Sequence, residues 1–134
     1  MGFIKKLFQK PKYVLSEKDL RWNRFIDEIC CFKDSNGLNE TQKNAELVFR
    51  YHAEMCNGGH SCYFECCSDR NPQELTQALI TLGFPELAEN FQQAILHGNE
   101  DDYIKSDNVF GNLENTLITL LREYVELHRD EIFR

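Results

Sequence analysis

Signals that start and stop helices recur along this chain at short intervals, and they constrain its fold more than any other feature. Asn39 followed three residues later by Gln42 forms a capping box that opens a helix. Asn71 followed by Pro72 marks a second start, because proline loses no hydrogen bond at the first helical position. Glycine marks the stops, since it adopts the left-handed cap conformation without steric penalty. The stops are Asn57-Gly58-Gly59, Gly83 and His97-Gly98-Asn99.

Apolar residues recur at helical spacing between these signals. One stripe of the second predicted helix consists of Ala45, Val48, Phe49, His52 and then Met55 or Cys56. No stretch alternates with a period of two between hairpin turns, so no strand is predicted. We therefore predict an all-α fold, a compact single-domain bundle of about five to six helices. The predicted helices cover about residues 16–32, 39–57, 61–67, 71–83, 85–96 and 113–132, with the longest polar connection starting at Glu100.

Charge divides the chain into two parts. Residues 1–24 carry +5, from seven Lys or Arg against two acidic residues; the whole chain of 134 residues carries −7, which leaves −12 on residues 25–134. We predict a basic amphipathic leader over residues 1–15 and an acidic helical domain over residues 16–134. Because Lys and Arg supply most of the affinity for phosphates, direct binding of nucleic acid is not expected, and basic partners are favoured.

The leader reads MGFIKKLFQKPK, with apolar residues between lysines. It is short, it stops at Pro11, and Lys6 stands where a myristoylation signal requires Ser or Thr, so we expect no stable membrane association. No apolar run reaches the roughly 18 residues that a membrane-spanning helix needs, and no secretory signal is recognised. The six cysteines are expected to be reduced thiols of a cytoplasmic protein.

Residues 56–67 read CNGGHSCYFECC, a pattern that allows a metal site, a reactive thiol or a tight corner between two helices. His52 and Cys56, like Cys62 and Cys66, stand one helical turn apart, so these four residues are the candidate metal ligands. Cys62, near a helix start, is the candidate nucleophile, and the nearby His60 is the candidate base. The spacing is not that of a standard zinc motif, and no residue is evident that would orient His60. The pattern therefore favours a corner, with no catalytic residue and no cofactor.

Carboxylates form the other candidate site. Glu86 and Glu89 stand at helical spacing, and Glu100, Asp101 and Asp102 follow one another. These five residues are predicted to form part of a face that engages a basic partner. Two alternatives remain open, because paired carboxylates also hold cations or act as acid and base, and charge runs are most often solvated surface.

Three motifs resemble one known family. They are Asn57-Gly58-Gly59 at a helix end, Tyr63-Phe64 in the next helix, and an Ala78-Leu79 helix closed by Gly83. From about Trp22 to the C-terminus the chain resembles the DNA-mimic protein (DMP) C-terminal domain family, a bacterial all-helical domain family of unknown function. The resemblance implies a compact helical domain. For the family's namesake it implies a dimer whose acidic surface imitates the phosphates of DNA and occupies a DNA-binding protein.

The chain departs from the family pattern at His60, where an aromatic residue is usual, and at Cys66-Cys67, where an asparagine is usual. The Cys and His residues are thus local substitutions. Two function hypotheses follow. The first is a non-enzymatic acidic domain that binds a basic protein, with a homodimeric DNA mimic that occupies a DNA-binding protein as its most specific form. The second is a metal-binding or thiol-dependent protein that uses the Cys- and His-rich residues 52–67.

Overall fold

A computed structural model describes residues 14–31 and 35–134 of the chain. The described residues form helices and connecting turns and contain no strand, which confirms the predicted all-α class. Most of the predicted basic leader, residues 1–13, lies outside the described residues. None of the helices in the described part is both long and apolar enough to span a bilayer.

Six α-helices, with short turns of tighter or wider helix between them, make up the described chain. The α-helices are α1 (Glu17–Phe25), α2 (Glu40–Cys66), α3 (Pro72–Thr81), α4 (Pro85–His97), α5 (Ile104–Leu127) and α6 (Arg129–Ile132). A π-helical turn, Ile26–Cys31, continues α1, and 3-10 turns occupy Ser35–Gly37 and Gly98–Glu100. Helix α2 packs against both α3 and α5, α4 packs against α3 and α5, and α1 lies on α5.

Helix α1 starts where its sequence predicts. The Ser16 side chain accepts a hydrogen bond from the Asp19 backbone N–H, and Asp19 reaches back to Ser16, which completes a capping box. The α-helix ends at Phe25 rather than near Phe32, because the backbone widens into the π-helical turn that buries Ile29 and Cys30. Phe32 itself lies outside the described residues.

Helix α3 ends at a glycine and helix α4 starts at a proline, as predicted. The Asn71 side chain caps α3 by accepting from the Gln73 N–H at 2.9 Å, and Gly83 has the positive φ of +92° that a left-handed cap requires. In the sequence, Glu74 stands three residues after Asn71, where a glutamate can reach back to the cap, but its carboxylate pairs with Lys43 of α2 at 2.9 Å. That pair links α3 to α2.

Helix α5 starts at Ile104, nine residues before the start predicted near Leu113. The Asp101 carboxylate accepts from the Lys105 N–H at 2.9 Å, and Tyr103 turns the chain with a left-handed φ of +64°. Ser106 and Phe110 of the added turns are buried. The predicted polar connection is therefore mostly helix, since these two residues continue the buried side of α5 under a polar outer face. At its other end α5 stops at Leu127, and α6 follows after His128.

The core lies where α2, α3, α4 and α5 meet. Its largest fully buried side chains include Tyr51, Phe25, Phe84 and Phe91. Burial of each such side chain contributes about 1.5–3 kcal/mol relative to exposure. Helix α1 is fixed to α5 by Arg21, whose Nε donates to the Glu126 carboxylate at 2.8 Å. The two candidate sites predicted from the sequence lie at the edge of this core. They are the Cys- and His-rich residues 52–67 and the five carboxylates.

Candidate functional site

Two glycines interrupt α2 and form what we call the glycine corner, residues 57–60. Gly58 and Gly59 have non-helical backbone angles, and the φ of +75° at Gly59 lies in the left-handed region. A Cβ atom at Gly59 would also collide with the carboxylate of Asp107 on α5. Glycine is therefore required at residue 59 both for the backbone conformation and for the close approach of α5. The predicted break between two helices is confirmed.

The glycine corner holds a network of three side chains, in which Tyr51 and His60 are buried and Asp107 is partly exposed. Asp107 Oδ1 accepts from the His60 backbone N–H at 2.9 Å and from His60 Nδ1 at 2.7 Å. Because Nδ1 donates to the carboxylate, Nε2 of a neutral His60 is the acceptor, and the Tyr51 hydroxyl donates to it at 2.7 Å. Asp107 thus caps the helical segment that resumes at His60, and it fixes the orientation of the ring.

Burial keeps the His60 and Tyr51 side chains of this network uncharged. It lowers the pKa of His60, with the nearby Asp107 carboxylate opposing the shift, and it raises the pKa of Tyr51 well above its ordinary value. His60 has 0% exposed surface. Its imidazole contacts Tyr51 and Asp107, whereas the contacts of the Cys62 thiol are with Glu54, Asn57 and Cys66. The nucleophile–base pair that the spacing allowed is therefore not formed.

The Tyr63-Phe64 motif packs the aromatic core around this network. Tyr63 lies edge-on against Tyr51, with ring centroids 5.2 Å apart. Phe64 lies between Phe91 of α4, at 5.7 Å, and Tyr103 before α5, at 5.6 Å. The motif therefore joins α2 to the segment that carries the predicted carboxylates.

The four candidate metal ligands fall into two groups, and each group gains a carboxylate. In the first, called the His52 cluster, His52 and Cys56 meet Glu114 of α5. In the second, called the dithiol cluster, Cys62 and Cys66 meet Glu54. Sequence reasoning missed both glutamates. Only the fold shows which turn of α5 faces His52.

Two thiols of these clusters, Cys56 and Cys66, have a pKa above that of an ordinary cysteine. Burial and the Glu114 carboxylate raise the pKa of Cys56. A hydrogen bond with Cys62 raises the pKa of Cys66 to about 11. Neither thiol has the lowered pKa of an activated nucleophile.

A long part of the described chain carries acidic residues without basic ones. Residues 71–104 contain six Asp or Glu and neither Lys nor Arg. Glu74 is paired with Lys43, and the other five are exposed along α4 and the turn before α5. We call these five, which are the predicted partner-binding residues, the acidic face: Glu86, Glu89, Glu100, Asp101 and Asp102.

Three members of the acidic face share one groove of about 550 Å³ between α4 and the start of α5. Glu89, Glu100 and Asp101 line it, together with Lys105 as its single Lys or Arg. Asn90 ties the walls together by donating from Nδ2 to the Ser106 carbonyl at 2.9 Å. Glu86 and Asp102 lie outside this lining, so the structure brings together three of the five predicted residues.

Comparison with known proteins adds one match. A protein-family model described as DMP19-like protein matches residues 36–132, well over half of the chain. No curated protein and no solved structure matches significantly. The matched residues include the three motifs that carry the resemblance, which are Asn57-Gly58-Gly59, Tyr63-Phe64 and the Ala78-Leu79 helix closed by Gly83. The chain therefore belongs to the DMP19-like protein family.

Proposed function

We propose that this protein is a non-enzymatic binding domain whose acidic face engages a basic protein, in the manner of a DNA mimic that occupies a DNA-binding protein. The observation that carries the proposal is the run of residues 71–104, which has six carboxylates and no Lys or Arg. Five of those carboxylates are exposed on one helix and its following turn. Family membership supports the same function.

The chemistry of the glycine corner favours binding over catalysis. His60 has both ring nitrogens occupied by Tyr51 and Asp107 and is fully buried. A general base must reach the proton that it abstracts, and this imidazole has no exposed surface to do so. The corner therefore serves the fold.

Unpaired surface carboxylates suit a basic partner. Arg24, Lys43 and Arg122 hold their carboxylate partners on other surfaces of the molecule. On the acidic face, Glu86 and Asp102 have no ion pair among the described residues, and Glu100 meets only His97. Arg or Lys side chains of a partner could pair with these carboxylates without displacing a Lys or Arg of this chain. Because such charges act over about 8 Å at physiological salt, they steer association and lose effect as salt is added.

A displacement experiment tests this function. Cell lysate is loaded on immobilised duplex DNA, and bound proteins are eluted with the purified protein at low and at high salt. We expect the wild type to release specific DNA-binding proteins at low salt, and at high salt to release little beyond what buffer of the same salt elutes alone. A variant in which all five residues of the acidic face become Gln or Asn should release several-fold less.

The matched control makes the same change in charge elsewhere. It replaces five exposed carboxylates that have no described ion pair, on the π-helical turn after α1 and on α2, α5 and α6, by amides: Asp27, Glu40, Glu65, Glu123 and Asp130. If this control loses release as fully as the acidic-face variant, the effect comes from net charge and the proposed face is wrong. If the wild type releases nothing beyond an unrelated acidic protein of equal charge, the DNA-mimic function is wrong.

A further inference from the structure

The His52 cluster has the arrangement of a small metal centre. His52 Nε2 and Glu114 Oε1 are 2.9 Å apart, Cys56 Sγ lies 3.6 Å from Nε2, and Cys56 Sγ lies 3.7 Å from Oε1. Three different donor atoms from two helices therefore converge on one point. We propose that this cluster binds a zinc-class divalent cation and that the cation clamps α2 to α5, a function beyond the proposed binding role.

The spacing of the donors fits a tetrahedral ion. Zinc binds nitrogen and oxygen at about 2.0–2.2 Å and sulfur at about 2.3 Å. Tetrahedral angles then place nitrogen and oxygen about 3.3 Å apart, nitrogen and sulfur about 3.6 Å, and sulfur and oxygen about 3.5 Å. The measured separations of 2.9, 3.6 and 3.7 Å differ from these by a few tenths of an ångström. An ion needs only small side-chain adjustments to enter.

The donor chemistry selects the ion. A thiolate, an imidazole and a carboxylate suit zinc and cobalt, whereas magnesium and calcium prefer oxygen ligands alone. With Cys56 as thiolate and Glu114 ionised, the three ligands carry the charge that a divalent cation neutralises. Cys56 is exposed, so the fourth position faces solvent and takes a water molecule.

Two of the three ligands are already held in place. His52 and Glu114 side chains are only 17% and 33% exposed, and they are hydrogen-bonded to each other. The His52 ring also packs near Phe110, with centroids 6.3 Å apart. The dithiol cluster is a weaker candidate, because its three donor residues Glu54, Cys62 and Cys66 all lie on α2, so an ion there would join no second helix. Preorganised ligands lose less freedom when the ion binds.

The test uses cobalt and zinc ions on the full-length, reduced protein. We expect one Co²⁺ in the His52 cluster, with a thiolate charge-transfer band and the visible bands of a tetrahedral ion, and we expect Zn²⁺ to displace it. Cys56→Ser should lose the charge-transfer band of this site and one metal equivalent. Glu114→Gln should weaken binding by more than the roughly 10–100-fold that loss of an outer-shell partner costs.

Two variants separate this site from other thiols. Cys31→Ser removes an exposed thiol outside both clusters, and Cys62→Ser with Cys66→Ser removes both thiols of the dithiol cluster. Both should keep the His52-cluster metal, and circular dichroism should show wild-type helix content in every variant. Absence of cobalt binding at micromolar ion would overturn the proposal. So would a signal that survives Cys56→Ser and disappears in the double variant.

Discussion

Removal of the Asp107 carboxylate should weaken the fold more than removal of a surface charge. In the wild type, this carboxylate accepts from the His60 backbone N–H and from His60 Nδ1, at 2.9 and 2.7 Å. Asp107→Ala leaves both donors without this acceptor beside a fully buried ring. A hydrogen bond to a charged group contributes about 1.5–3 kcal/mol. Because the Asp107 side chain is 36% exposed, water replaces part of the loss, and we expect a decrease of about 3 kcal/mol in the free energy of unfolding.

Urea unfolding followed by circular dichroism measures this change. A domain of this size has a free energy of unfolding of about 5–15 kcal/mol, so the loss moves the midpoint clearly. Asp107→Asn keeps an acceptor oxygen but not its charge, and neutral hydrogen bonds are about half as strong, so roughly half of the loss should remain. Glu65→Ala removes an exposed carboxylate from the same helix as His60 and should change stability by less than about 0.5 kcal/mol. An Asp107→Ala variant as stable as Glu65→Ala would refute the role assigned to the network.

Three further predictions concern the same molecule. Because burial lowers the pKa of His60, the unfolded state takes up a proton at a higher pH than the folded state does. The free energy of unfolding should therefore be constant above pH 6.5 and fall below it. Urea midpoints from pH 5 to 8 should show this slope, and His60→Gln should reduce it. Tyr103→Ala should reduce release of DNA-binding proteins several-fold at unchanged net charge, whereas Tyr103→Phe keeps the ring and should behave as wild type in the same displacement assay. Light scattering should give the mass of a dimer at working concentrations, and a mass of 15.8 kDa would contradict the dimer that the family resemblance implied.

Local signals in the sequence predict much of the fold. The capping boxes at Ser16 and Asn39 form because each joins residues three positions apart, and the structure contains both. Gly83 and the glycine corner end or break their helices because the left-handed conformation is a property of the residue itself. These features need no knowledge of tertiary contacts, so sequence reasoning reaches them.

The missed features depend on residues far apart in the chain. Helix α5 starts early because Asp101 caps it and Tyr103 packs on Phe64, a contact across 39 positions that leaves no periodic signal near residue 104. The partners of His60 lie 9 and 47 positions away, at Tyr51 and Asp107. Residue types indicate that a buried histidine needs partners, but only the packing of α2 on α5 identifies them.

The glycine corner and the acidic face are mechanically linked through Tyr103. Its ring lies 5.6 Å from Phe64 and 6.3 Å from His60, and its backbone N–H donates to the Gly98 carbonyl at 2.7 Å. A Cβ at Gly98 would collide with the same ring. Asp101 and Asp102 immediately precede Tyr103, so the turn that displays them is anchored on the aromatic core. Because a preorganised surface loses less conformational entropy on binding, this anchoring lets a short acidic turn present its charges in a fixed arrangement.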